Sequence, residues 1–246
     1  MSHMSHHKLT ESFMTARLLF RVTIPLLVLL TGTLTSAADK KNDLIIEHGS
    51  RDSHKIALTF DACPTGRPNE YDEKVIEILM KEKVPATLFM SGRWVEKNIE
   101  TTKFLSRQPQ FEIANHGFWH PHMLEKDDQR IERELNRTQT IIRQVTGKEP
   151  RYFRPPYGEI DDRVCRLVHG KGLTTIQYDL PSGDPDANLS TERIVRAVLR
   201  DAKSGSIVVF HMNGNGVHTA EALPKIITGL RKKGFTLVTV GELLRE

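Results

Sequence analysis

The sequence predicts an α/β fold built on a parallel sheet, either open or closed into a barrel. Three observations carry that prediction. From Lys55 onward, short β-rich runs alternate with amphipathic helical patterns, the arrangement that strand–helix–strand crossovers produce. Gly147, Gly172, Gly205 and Gly234 fall just past four helical patterns, where a left-handed cap closes a helix. Polar residues capable of chemistry fall where strand patterns end, and in parallel α/β folds those ends open on one ligand-binding face.

Taken in order, the β-rich runs are Lys55–Phe60, Ala86–Ser91, Phe111–Ala114, Tyr152–Arg154, Thr174–Asp179, Ser206–His211 and Thr236–Val240. Helical patterns cover Asp72–Lys83, Asp127–Val145, Asp161–Lys171, Thr191–Ala202 and Thr219–Lys233. The second of these carries Ile131, Leu135, Thr138, Ile142 and Val145 at three-to-four spacing, an apolar stripe. The chain of 246 residues suits one large domain, without internal repeat or second-domain boundary.

Ahead of this domain, residues 1–38 read as a secretory signal peptide and residues 39–54 as a polar linker, leaving 55–246 as the working domain. Ile24–Leu34 is an apolar core preceded by Arg17 and Arg21 and followed by Thr35-Ser36-Ala37-Ala38. At 11 residues it is shorter than the ~20 that cross a bilayer, so no stable membrane insertion is expected after cleavage. The protein is expected in the periplasm or outside the cell, and His3, His6 and His7 are given no metal-binding role. There Cys63 and Cys165 could form a disulfide. Half of the formal charge of +4 lies in residues 1–38, and no basic stripe with interleaved aromatics follows, which excludes nucleic acid as a partner.

The chemistry-bearing residues stand at the strand ends. Asp61 follows the first run, His116 the third, Arg154 closes the fourth, Asp179 and Asp184 follow the fifth, and His211 ends the sixth. Singly, Asp61 reads as a helix cap, Arg154 as a surface charge and His211 as a core histidine; their convergence is the signal. In Asn115–His122 (NHGFWHPH), His116 and His120 sit four apart, close enough to share one metal ion. Pro121 disfavours helical geometry at His120, so a tight turn after a strand is expected rather than a helix.

Together, TFDAC (Thr59–Cys63), NHGFWHP (Asn115–Pro121), FRPPYG (Phe153–Gly158), SGDP (Ser182–Pro185) and VVFHM (Val208–Met212) resemble the ordered motifs of the polysaccharide deacetylases, the NodB-homology group. The resemblance runs from about Lys55 to Leu244 and implies an irregular (β/α)7 barrel. It implies a hydrolase that removes N-acetyl groups from an extracellular glycan such as peptidoglycan or chitin, using a divalent metal, zinc before cobalt, nickel or manganese. By position, Asp61 would be the general base and Arg154 the residue that orients it. His116 and His120 would hold the metal, and the Tyr157 backbone N–H would hold the oxyanion. Asp184 would tune His211, the general acid. Two other outcomes of the same architecture are a non-catalytic glycan-binding barrel and a hydrolase of another amide or ester, such as a cyclic imide or O-acetyl group.

The sequence departs from the family at two places. Where the first motif carries a second aspartate as third metal ligand, this chain has Ala62. The metal would then rest on two histidines and water, or on a substitute such as Cys63, or be lost; His122 follows the motif without belonging to it. Pro185 replaces a tryptophan that lines the acetyl pocket, so Phe118, Trp119 or Tyr157 would supply the wall. The glycine-rich Asn213–His218 could rim the groove, with His218 as an exposed loop residue.

Overall fold

The computed structural model describes residues 44–66 and 70–245; the expected signal peptide and the first part of the linker lie outside them. In chain order the elements are β1 (Ile45–Ile46), β2 (Lys55–Ala62), α1 (Glu73–Lys81), β3 (Ala86–Met90), α2 (Gly92–Lys97), α3 (Ile99–Arg107) and β4 (Phe111–Asn115). They continue with α4 (Asp128–Thr146), β5 (Tyr152–Phe153), α5 (Asp162–Gly170), β6 (Thr174–Ile176) and β7 (Leu180–Pro181). The last are α6 (Thr191–Asp201), β8 (Ile207–His211), α7 (Thr219–Lys232), β9 (Thr236–Val238) and α8 (Val240–Leu243).

All seven expected runs are strands. They join, with β1 and β7, in one sheet of order β1-β6-β5-β4-β3-β2-β8-β7, and β9 pairs the start of β2. Every ladder is parallel. No ladder closes the ring. Its ends approach instead through the isolated antiparallel bridge between His48 and Ser206 and the Gly49 N–H bond to the Gly205 carbonyl at 2.8 Å. The architecture is an open, irregular barrel of parallel strands wrapped by helices, as the (β/α)7 expectation has it. Ile45–Ile46 lies inside the stretch read as linker, yet it pairs with β6.

Strand alternation sorts the core. Ile56, Leu58, Phe60 and Ala62 of β2 pack with Val75, Ile194, Val198 and Ile226 of the surrounding helices. Ala57 instead joins Phe89, Ala114, Ile176 and Ile207 in a separate cluster. Full burial of such side chains stabilises the fold by roughly 1.5–3 kcal/mol each.

Helix starts follow local chemistry. Asp127 and Asp161 accept the N–H groups of Arg130 and Val164 at 2.7 and 2.8 Å, satisfying first-turn donors of α4 and α5. Gly147 (φ 72°) closes α4 in the left-handed region, as expected. Gly205 is needed for a different reason: a Cβ there would stand 2.5 Å from the Gly49 carbonyl oxygen at the barrel's seam. No helix among the described residues is long and apolar enough to cross a membrane.

Candidate active site

The C-terminal ends of β2, β4, β5 and β8, with the residues that follow them, open on one pocket of about 230 Å3, lined among others by Asp61, His116, His120, Arg154, Tyr157 and His211. Register explains the convergence. Asp61 pairs with His211 across β2–β8 and with Phe89 across β2–β3, while Asn115 pairs with Phe153 one residue before Arg154. Asp184 is not in the lining but stands directly behind His211. Larger pockets lie elsewhere, among them one lined by Phe111, Arg151 and Arg245 and one lined by Leu189 and Arg196; neither of these two gathers such a set.

On one side, Arg154 is 1% exposed and donates from Nη1 to Asp61 Oδ1 and to Thr59 Oγ1, both at 2.8 Å. Its guanidinium lies 4.0 Å from the centre of the Phe89 ring. Burial alone would push the Asp61 carboxyl up, but its charged neighbours, Arg154 foremost through charge and hydrogen bond, outweigh it and hold it below the usual range. Asp61 is therefore ionised, with Oδ2 3.7 Å from His116 Nε2.

Opposite stands His211. Its Nδ1 lies 3.0 Å from Asp184 Oδ1, so Nδ1–H donates to the carboxylate and Nε2 is the atom left for the pocket. Asp184 also accepts from the Ser182 hydroxyl (2.9 Å), the His211 N–H (2.7 Å) and the Thr219 hydroxyl (2.6 Å). Burial would lower the His211 pKa, but the hydrogen bond and charge of Asp184 reverse this and raise it above its ordinary 6.5. The expected rim, Asn213–His218, contributes here too. A Cβ on Gly216 would stand 2.0 Å from Thr219 Oγ1 and 2.5 Å from Asp184 Oδ2, so only glycine lets the loop pass.

His116 and His120 meet edge-to-face with ring centres 4.8 Å apart. His116 Nδ1–H donates to the Arg154 carbonyl at 2.9 Å, which leaves Nε2 as a lone-pair donor, the arrangement that such a bond imposes on metal-binding histidines. Burial lowers the His116 pKa, and burial together with His116 pushes His120 down to about 3. Two neutral imidazoles side by side fit a divalent ion as ligands. The set stops at two: among the described residues no group of three His, Cys, Asp or Glu side chains fits around a cation.

The substitutes considered from sequence are placed elsewhere. Ala62 packs in the apolar cluster between sheet and helices. Cys63 lines the pocket, yet its thiol is pushed up to about 12, mainly by burial, and its sulfur accepts the Asn213 amide at 3.1 Å. Among the described residues it does not join His116 and His120 in a group that could surround a cation. Cys63 and Cys165 are both free and buried, so the possible disulfide is absent. His122 bonds Glu159 at 3.0 Å and stacks on Tyr157. Asp179, another strand-end candidate, is a strut instead: it takes Arg51, the Ser206 hydroxyl and the Ile207 N–H at 2.9–3.0 Å.

One positioning residue escaped the sequence reading. Glu134 of α4 is 2% exposed and accepts the backbone N–H groups of Phe118 (2.8 Å) and Trp119 (2.6 Å), with Arg130 as counter-charge at 2.9 Å. Asn115 Oδ1 accepts the Gly117 N–H at 2.9 Å, and the Gly92 and Arg93 N–H groups bind the Gly117 and Phe118 carbonyls. The histidine turn is thus hydrogen-bonded throughout, which sustains His120 at φ 60°, a left-handed conformation that costs a β-carbon residue roughly 1–2 kcal/mol. The signal was the position: Glu134 lies between Ile131 and Thr138 in the apolar stripe, where a glutamate has no solvent to face.

The family model for polysaccharide deacetylase matches residues 48–176. The chain belongs to the polysaccharide deacetylase family. A peptidoglycan-N-acetylglucosamine deacetylase of Bacillus cereus is 36% identical over 192 residues, covering 77% of this chain and 88% of that protein. A peptidoglycan-N-acetylmuramic acid deacetylase of Bacillus subtilis is 29% identical, covering 80% and 74%. Among solved structures, a peptidoglycan N-acetylglucosamine deacetylase is similar at TM-score 0.76 and 26% identity, covering 82% of this chain and 92% of that one. A CE4-family pseudoenzyme from Bacillus anthracis is similar at TM-score 0.74 and 30% identity, covering 82% and 69%. In this polysaccharide deacetylase Asp61, His116, His120, Arg154 and His211 line one pocket, Asp184 stands behind His211, and position 62 is an alanine.

Proposed function

We propose that this polysaccharide deacetylase removes N-acetyl groups from a cell-wall glycan, peptidoglycan or a chitin-like polymer, in a metal-dependent hydrolysis that releases acetate. The observation that carries the reading is the pairing of an ionised carboxylate, Asp61, with a raised-pKa imidazole, His211, beside the same small pocket. Each is fixed from behind by its own counter-charge.

That geometry supports the following roles. Asp61 takes a proton from the water that attacks the acetyl carbon, and Arg154 keeps the carboxylate ionised and aimed. As the C–O bond forms, the Tyr157 N–H, on a turn with φ 58°, donates to the developing oxyanion. His211 gives its Nε2 proton to the nitrogen as the C–N bond breaks, and Asp184 holds the other ring proton. A divalent ion on His116 and His120, zinc first among the candidates, would supply polarisation of the carbonyl and a more acidic water. The apolar run Ile24–Leu34 and the glycan substrate support an extracellular, wall-facing location.

The test is acetate release from N-acetylated glycans with zinc or cobalt present. Asp61→Asn should lower kcat by about 10³-fold, within the range of general-base catalysis, while the thermal melt stays cooperative. Release of no acetate from any such glycan overturns the proposal. Ala62 favours a second reading, glycan binding without turnover, which predicts affinity that a chelator leaves unchanged.

A further inference from the structure

We infer that Gln177 is a positioning residue for the hydrolysis, holding the Tyr157 turn at a set distance from Asp61. The inference rests on the hydrolytic reading above, in which the Tyr157 N–H meets the oxyanion. Tyr157 and Gly158 are both left-handed, at φ 58° and 70°, in a turn between β5 and α5. The tyrosine is the costlier of the two, because its β-carbon crowds the carbonyl that follows. The turn's own bonds run only along the chain. The Gly158 N–H donates to the Pro155 carbonyl at 3.1 Å, and the Glu159 N–H to the Pro156 carbonyl at 3.2 Å. Pro155 and Pro156 have no N–H to offer a neighbouring strand.

Among the described residues one side chain from outside the turn bonds its backbone. Gln177, the residue after β6, donates from Nε2 to the Gly158 carbonyl at 2.6 Å. That bond fixes the direction of the amide, since reversing it would set Oε1 against the carbonyl oxygen. Oε1 is buried and has no partner among the described residues. A methionine would fill the same space without burying an unpaired oxygen, so packing does not call for an amide here. The main chain of Gln177 ties the turn to the base. Its N–H donates to the Ile46 carbonyl at 2.8 Å, extending the β1–β6 ladder, and its carbonyl accepts Arg154 Nη2 at 3.3 Å. Arg154 in turn holds Asp61 at 2.8 Å. One residue on a strand end thus touches both the cation that aims the base and the turn that presents the Tyr157 N–H. The separation of those two groups has a narrow tolerance, since about 1 Å of misplacement can cost 10²-fold in rate.

The test is Gln177→Met, which removes the donor at nearly equal volume and should leave the thermal melt cooperative. Acetate release is followed with zinc present, on a tetramer of N-acetylglucosamine and on purified peptidoglycan. In the variant kcat should fall about 30-fold, short of the 10²–10³-fold that loss of an oxyanion donor itself brings. KM should stay within about twofold, as for an interaction that matters only in the transition state. Zinc affinity, read by calorimetry, should match the wild type. Amide hydrogen exchange should quicken by about tenfold at residues 157–159 and hold its rate at residues 116–120. An unchanged kcat in the variant of an active chain overturns the inference alone, and so does unchanged exchange at the turn. A fall in kcat that comes with lost zinc affinity or a matching rise in KM assigns Gln177 a general structural role and overturns it too. A wild-type chain that releases no acetate from either glycan overturns it together with the hydrolytic reading.

Discussion

His211 leans on a carboxylate whose two oxygens take hydrogen bonds from Ser182, Thr219 and both the backbone and ring of His211. Across the pocket, His116 and His120 have an equally firm frame in Arg154, Asn115 and Glu134, yet position 62, where the resemblance implies a third metal ligand, holds Ala62, packed in the apolar cluster. For the proposed mechanism the His211 side has every group it needs, whereas the His116–His120 side has its scaffolding and two candidate ligands. The difference teaches that a site's geometry and its ligand inventory are separable: the turn that aims the histidines is held by backbone bonds, which do not depend on what occupies position 62.

Substitutions can break or sharpen that contrast. The largest effect is expected at Asp184. Asp184→Asn removes the charge that raises the His211 pKa, and kcat should fall by roughly 10²–10³-fold, as loss of tuned general acid catalysis implies. Activity needs His211 protonated, so it declines as pH rises through a value held above 6.5, and in the variant this alkaline limb moves to lower pH. A pH–rate profile reads both changes, and an unmoved limb breaks the assignment. Next, Ala62→Asp introduces the carboxylate that the family resemblance implies there and should tighten cobalt or zinc binding by about 100-fold, the upper end of the 10–100-fold that changes around a ligand bring. Calorimetric titration checks it; unchanged affinity would mean that the two halves differ by more than one missing ligand.

A smaller effect is expected at the scaffold. Glu134→Ala leaves two buried N–H groups unsatisfied, at a cost of about 1–3 kcal/mol each, and should weaken metal binding about tenfold. Glu134→Gln keeps an acceptor oxygen and should recover most of the metal affinity, which a general loss of packing would not. Smallest of all, Cys63→Ser should change metal affinity by less than about twofold, since among the described residues the buried Cys63 does not join His116 and His120 in a group that could surround a cation. A large loss there would reinstate the sulfur as the third donor.

The sheet was legible because its seven main strands are β-branched or aromatic runs bounded by turns and helical patterns. β1 and β7 were not, because two residues carry no period and are defined only by their partners. α2 and α3 were missed for a related reason. They are 6 and 9 residues long, and Ile99 and Phe104 point to solvent against the rule that apolar residues mark the inner face. The site residues were legible through motif order. Asp179 was misleading because strand-end position is shared by catalytic groups and struts, and only the Arg51 and Ser206 contacts tell them apart. Glu134 was hidden because its partners are peptide N–H groups, which no pattern of side chains reveals.

Gly216 has an implication for anyone reshaping this groove. Its α-carbon passes so close to Asp184 and Thr219 that any side chain would collide with the pair that tunes the acid. The rim and the Asp184–His211 pair are therefore one mechanical unit at that residue. Libraries meant to alter glycan preference should diversify its exposed neighbour Val217 and the half-exposed His218 while holding Gly216 constant, because variation there would read as altered specificity when the damage was to the Asp184–His211 contact.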